Sequence, residues 1–214
     1  MIYKVIEHVT ETKFLGVIVD ENLNWNSHIT AVSLKVSRSI GVLNRVKNIM
    51  PRDVLVSLYY ALIHSHITYC NIIWGGATQT VLNKLVSLQK RAIRLISGSQ
   101  FLAHTSPLFS SLGILKINDI HKTQVLLFMY KYKHGLLPTS CSGFVQYNYN
   151  SAGCSLRNIN EFSMPKYRLE IRKRAISILG PDLWYKLPQH IKELGSVNLF
   201  RKNLNGIYLN SYLP

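Results

Sequence analysis

The chain has 214 residues, of which 47% are hydrophobic and 16% are charged, a composition that excludes a disordered tail. Lysine and arginine number 25 against ten acidic residues, which gives a formal net charge of +15. This excess indicates a polyanionic partner, either a nucleic acid or an anionic membrane surface. It also leaves few carboxylates for metal-assisted or acid–base catalysis.

The first twenty residues predict two β-strands. Residues 3–6 are short and β-prone, and residues 13–20 are apolar, rich in β-branched side chains and followed by a turn. Two adjacent strands favour an antiparallel hairpin within residues 1–20. Because a lone hairpin is only marginally stable in water, we expect it to lie on a helix or to join a sheet outside this chain.

Residues 21–100 predict a helical bundle. Asn26 or Ser27 is expected to cap the first helix, and Pro51 suits the first turn of the second. The predicted helices cover about residues 26–50, 51–63, a short piece ending at 74, and 78–97.

Two of these helices, at 26–50 and 78–97, are amphipathic, with apolar residues on one arc and basic residues on the other. A basic helix face is most often simply solvated. The helix at 78–97, however, has no acidic residue to pair with its cations. An uncompensated basic ridge suits contacts with phosphates and gives affinity without sequence readout. The candidate nucleic-acid-binding residues are Lys35, Arg38, Arg45, Lys84, Lys90, Arg91 and Arg94.

Residues 101–214 predict a second helical region. The helix at 118–134 is apolar on nearly every side, which is typical of the buried centre of a bundle. An irregular loop is expected at about 136–165, Gly180-Pro181 predicts a turn, and Ser196 caps a last helix. The expected fold is therefore mainly α, with a small N-terminal antiparallel hairpin, a helical bundle and a second helical module.

Motifs for catalysis and for metal binding are missing from the sequence. The four aspartates, at positions 20, 53, 119 and 182, are scattered, and we interpret them as caps and turn residues. His64 and His66 are two residues apart and would point to different helix faces, so we interpret them as a polar break in a buried turn. We therefore predict no catalytic residue, no metal ligand and no cofactor in this chain.

Several smaller features carry further expectations. The three tryptophans are interpreted as core anchors and the three cysteines, without a CxxC spacing, as free thiols. The apolar run at 54–63 is too short to span a membrane, and the N-terminus carries charge too early for a signal peptide. We expect no membrane partner, and an intracellular protein, nuclear or cytoplasmic, that is not secreted.

Five segments, taken together and in order, resemble the C-terminal part of non-LTR (LINE, jockey-like) retrotransposon reverse transcriptases. Phe14-Leu15-Gly16 matches the turn of that family's primer grip. Residues 62–75 and 85–96 resemble its thumb, and Gly180-Pro181-Asp182-Leu183-Trp184 and residues 200–204 resemble its C-terminal tail. The resemblance covers essentially the whole chain.

The resemblance implies a role in holding primer and template during RNA-directed DNA synthesis. It assigns residues 1–20 to a palm-edge hairpin, 21–100 to a thumb-like bundle and 101–214 to a C-terminal region. The family's fingers, catalytic palm aspartates and their divalent metal are absent, so we expect a truncated remnant that is not an enzyme as it stands. The implied partners are RNA or an RNA/DNA duplex, and the missing palm and fingers.

Two other interpretations remain open at this point. The chain is also compatible with a helical protein-interaction module, because the unpaired strand edges of a lone hairpin favour a protein partner. A decayed product with no nucleic-acid role has the same sequence features.

Overall fold

The computed structural model describes residues 8–147 and 162–213. The chain is mainly helical, with one two-stranded antiparallel sheet near its N-terminus, as the sequence predicts. It divides into two compact units, Met1–Ile117 and Asn118–Pro214. Within the described ranges, every helix is too short or too polar to cross a lipid bilayer.

In the described part of the first unit, residues 8–117, the hairpin is followed by six α-helices. Its elements are β1 (Glu11–Phe14), β2 (Val17–Asp20), α1 (Asn26–Val46), α2 (Arg52–Tyr59), a π-helical turn (Tyr60–His64), α3 (Ser65–Thr68), α4 (Asn71–Trp74), α5 (Gln79–Ser97) and α6 (Ser106–Ser111).

The hairpin differs from the predicted single strand at 13–20. Phe14 pairs with Val17, and Leu15 and Gly16 form a two-residue turn with φ angles of 45° and 83°. Positive φ at both turn positions matches the right-handed twist of the flanking strands, so a tight turn splits the apolar run into two short strands. The predicted strand at 3–6 lies outside the described residues.

The start of α1 is held by Asp20 rather than by the predicted caps Asn26 or Ser27. The Asp20 carboxylate accepts hydrogen bonds from the backbone amides of Asn22, Asn24 and Trp25, at 3.2, 3.0 and 2.8 Å. Trp25 occupies the cap position with a φ of 65° and makes no side-chain cap hydrogen bond, so Asp20 is the side-chain acceptor of the turn that leads into the helix.

The second predicted helix is interrupted by the π-helical turn. Ser39 on α1 donates its hydroxyl to the Leu62 carbonyl at 2.9 Å, within this turn. A π turn widens the helix locally and leaves carbonyls for partners outside it. Apolar spacing does not reveal such a turn, because it inserts one residue without changing the apolar character of the segment.

The core of the first unit lies where α1 packs against α5. The polar side chain of Gln89 is buried in this core. Its amide donates to the Tyr59 hydroxyl and the Leu115 carbonyl, both at 2.9 Å, and accepts from the Ile117 amide at 3.0 Å. These bonds tie residues 115–117 to α5 within the first compact unit, which ends at Ile117.

The second unit packs its helices around an aromatic core. Its elements are α7 (Ile117–Lys133), a 3-10 turn (Thr139–Cys141), α8 (Glu170–Lys173), α9 (Ile176–Tyr185), α10 (Gln189–Lys192) and α11 (Val197–Asn210). Tyr130, Phe162, Trp184 and Phe200 form ring contacts at the centre of this core. Ser196 caps α11 as predicted, accepting the Leu199 amide at 3.2 Å.

The predicted turn at Gly180-Pro181 is wrong. Both residues are buried inside α9. A Cβ at position 180 would lie 2.5 Å from the Met129 sulfur, so glycine allows α9 to approach α7 closely. The glycine therefore allows close helix packing.

The predicted irregular loop at 136–165 lies only partly within the described residues.

Candidate nucleic-acid interface

The predicted basic residues lie on the solvent-facing sides of α1 and α5 in the first unit. Their side chains are exposed except for Arg94, which is half-buried, and they are Lys35, Arg38, Arg45, Lys84, Lys90, Arg91 and Arg94. On α1, Arg38 and Arg45 are seven residues apart and lie opposite the buried positions Val36 and Ile40.

The four cations of α5 form a ridge, which we call the α5 ridge (Lys84, Lys90, Arg91 and Arg94). Lys84 and Arg91 are two turns apart, roughly 10 Å along the axis, and Arg94 and Lys90 lie on one side of that line, about 60° and 100° around the helix. The opposite side of α5 carries the buried Leu85, Gln89, Ala92 and Ile93. The ridge is therefore presented to solvent by the packing of α5 in the core.

No carboxylate neutralises the ridge in the part of the chain that the structure describes. The ion pairs found there involve Glu21, Asp119, Glu170 and Asp182, none of them with a cation of α1 or α5. Unpaired cations on one helix side repel one another, and a polyanion removes that repulsion when it binds.

Arg94 connects the ridge to a groove at the end of α5. Its Nε donates to the Ala103 carbonyl at 3.0 Å, and its guanidinium carbon lies 6.0 Å from the centre of the Phe101 ring. The hydrogen bond fixes the direction of the side chain at the point where α5 ends.

This groove has a volume of about 410 Å³, and we call it the Arg94 groove. It is lined by Arg94, by residues 95–99, and by Lys47, Asn48, Met50, Arg52 and Leu55. Its cations are Lys47, Arg52 and Arg94, and the lining residues that the structure describes include no acid. The sequence did not point to Lys47 and Arg52, because they come from different elements and share no helical period with Arg94.

The primer-grip-like residues Phe14, Leu15 and Gly16 form the tip of the hairpin and are exposed. The Tyr69 hydroxyl donates to the Leu15 carbonyl at 2.5 Å, and its ring would meet a Cβ at Gly16 at 3.6 Å. Tyr69 thus holds the turn in place from the loop after α3.

Two histidines of the first unit, His28 and His64, lie in environments that disfavour protonation. Burial lowers the pKa of His64, and burial together with the nearby charge of Lys35 lowers the pKa of His28. His28 Nδ1 accepts the Ile18 amide at 3.3 Å, and its ring meets Trp74 edge-on. Among the described residues, no three His, Cys, Asp or Glu side chains converge to hold a metal ion.

Similarity to known proteins is confined to part of the chain. RNA-directed DNA polymerase from the mobile element jockey of Drosophila funebris is 31% identical over 117 residues, or 53% of this chain and 13% of that protein. Its counterpart from Drosophila melanogaster is 26% identical over 121 residues, and the probable polymerase of that species' X-element transposon is 23% identical over 111.

About half of the chain is thus similar to RNA-directed DNA polymerases of mobile elements. The aligned region spans only 12–13% of the length of these polymerases, so their activity is not thereby assigned to this chain. No family model matches the sequence, and no solved structure matches it. The assignment of residues 21–100 to a thumb stays a prediction.

Proposed function

We propose that this chain holds RNA or an RNA/DNA duplex through phosphate contacts, in the manner of a reverse-transcriptase thumb. The observation that carries the proposal is the α5 ridge, a solvent-facing row of cations without carboxylate partners among the described residues. Phosphate contacts of this kind supply affinity that is independent of sequence and weakens with salt.

The relationship to RNA-directed DNA polymerases supports a nucleic acid over other polyanions. Lys35, Arg38 and Arg45 on α1 extend the positive field of the same unit. Because these residues reach phosphates rather than base edges, we expect no preference for sequence.

A binding titration tests the proposal. We expect a fluorescently labelled primer–template to bind the full chain, and the triple variant Lys84→Ala, Lys90→Ala, Arg91→Ala to bind on the order of tenfold more weakly. The matched control removes the same charge from the second unit with Arg172→Ala, Lys173→Ala and Arg174→Ala, all exposed. Equal losses in both variants would mean that only net charge matters and would reject the ridge.

We propose no polymerase activity for this chain. The aspartates of the described residues serve other roles, as Asp20 holds a turn and Asp119 accepts the Tyr212 hydroxyl at 2.6 Å. We expect the chain alone to extend no primer in Mg²⁺ or Mn²⁺, and robust extension would contradict this interpretation.

A protein-interaction role is the second candidate, and the hairpin favours it. In the described part of the chain the sheet has only two strands, so each has one edge without a strand partner, and Phe14 and Leu15 at its tip are 68% and 73% exposed. Open strand edges pair readily with other chains. A purified chain that is monomeric and retains only nucleic acid would exclude this candidate.

A further inference from the structure

An exposed aromatic side chain lies against Arg94, one of the residues that line the Arg94 groove. Phe101 is 79% exposed, and its ring lies over the Arg94 guanidinium, which itself lines the groove. An aromatic ring that leaves so much of its surface in water has a face available to a ligand.

Three cationic side chains line the Arg94 groove. Lys47, Arg52 and Arg94 converge from three places in the fold, and among the lining residues described none is acidic. Arg52 also donates to the Ser111 hydroxyl at 3.4 Å, and Arg94 donates to the Ala103 carbonyl at 3.0 Å.

We propose that the Arg94 groove and Phe101 bind one unpaired nucleotide of a single-stranded nucleic acid. The phosphate lies among Lys47, Arg52 and Arg94, and the base stacks on Phe101. This proposal rests on the proposed function and deepens it, because it names the form of nucleic acid that this part of the first unit takes.

The combination of a basic groove and an exposed ring selects a single strand. Bases in a duplex are stacked on their neighbours, whereas an unpaired base has a free face for an aromatic side chain. The α5 ridge alone does not discriminate, since phosphates are present in both forms. Arg94 belongs to both surfaces and places the unpaired nucleotide at the end of the ridge.

An anionic membrane is the competing ligand, because Leu102 and Ile49 are also exposed beside these cations. The groove favours a nucleotide, since its cations line a concave space where a phosphate is contacted from several sides. A bilayer surface would engage the cations from one side only.

The test compares strands with and without bases. Binding of the full chain is measured for a labelled oligothymidylate of about twelve nucleotides and for an abasic strand of equal length. We expect Phe101→Ala to weaken binding of the oligothymidylate at least about fivefold and to leave the abasic strand unchanged, with Phe101→Trp restoring affinity. Leu102→Ala, the neighbouring exposed apolar residue, is the matched control and should change neither.

The outcomes separate the two proposals. Binding of both strands that is indifferent to Phe101→Ala overturns the single-strand inference alone, and absence of binding to any nucleic acid overturns the proposed function with it. Vesicles of phosphatidylserine and phosphatidylcholine provide the third arm. Loss of vesicle binding in Phe101→Ala, with oligothymidylate binding unchanged, would assign the site to a membrane and overturn the inference.

Discussion

Asp20 organises the approach to α1 through backbone hydrogen bonds. Burial raises the pKa of its carboxyl, but the bonds from Asn24, Trp25 and Asn22 outweigh burial and hold this pKa below the usual value. A carboxylate with a lowered pKa stabilises the fold above its unfolded-state pKa, and this contribution is lost as the pH falls through the folded-state value.

Replacement of Asp20 tests this role. We expect Asp20→Ala to lower the free energy of unfolding by about 0.5–2 kcal/mol, because three amides lose their acceptor. Urea denaturation at neutral pH measures the change. Asp182→Ala, which removes an exposed pair with Lys186, is the control and should cost less than about 1 kcal/mol.

His28 gives the stability of the fold a second pH dependence. Its pKa is lowered by burial and by Lys35, so the folded chain resists protonation that the unfolded chain accepts. The unfolded state then binds more protons as the pH falls below about 6.5, and the stability decreases in that direction.

Thermal unfolding between about pH 7.5 and 5.5 measures this dependence. We expect His28→Gln, which keeps an acceptor for the Ile18 amide but does not titrate, to lose less stability on acidification than the wild type. Burial also lowers the pKa of His64, which should preserve part of the dependence. An unchanged dependence in His28→Gln would contradict the assignment.

At the scale of elements, Gln89 joins α5 to the backbone at residues 115–117. It is 1% exposed, and both ends of its amide are hydrogen-bonded. Its partner Tyr59 is also fully buried, and burial raises the pKa of that hydroxyl above its usual range, so the phenol stays neutral. The contact is a neutral network inside an apolar core.

Breaking this network tests its contribution. We expect Gln89→Leu to lower the free energy of unfolding by at least about 2 kcal/mol, because buried groups on three segments are left unpaired. Circular dichroism during urea denaturation measures the change. Gln79→Leu on the exposed first turn of α5 is the matched control, expected within about 0.5 kcal/mol of the wild type.

Periodicity alone predicted the helices that carry the basic residues. α1 and α5 alternate apolar and basic faces over 21 and 19 residues, and α5 runs from Gln79 to Ser97 as expected. The incorrect predictions of turns and caps have local causes that the spacing of apolar residues does not reveal. The turn at Leu15-Gly16 depends on positive φ angles, and the cap at Trp25 depends on an acceptor five residues upstream. The helical position of Gly180 depends on its close packing against Met129.

At the scale of the whole molecule, the net charge of +15 predicts a polyanion but not where it binds. The α5 ridge was predictable because its members share one helix. The Arg94 groove was not, since Lys47, Arg52 and Phe101 reach Arg94 only through the packing of α1, α2 and the segment after α5.

The salt dependence of nucleic-acid binding tests the central claim most directly. The logarithm of the association constant for a primer–template should fall linearly with the logarithm of salt concentration. The slope should become shallower by about one for each ridge cation removed, and so by up to about three in Lys84→Ala, Lys90→Ala, Arg91→Ala. A wild-type affinity that does not change with salt concentration would contradict phosphate binding by the ridge. So would a salt-dependence slope that is the same in this variant as in the wild type.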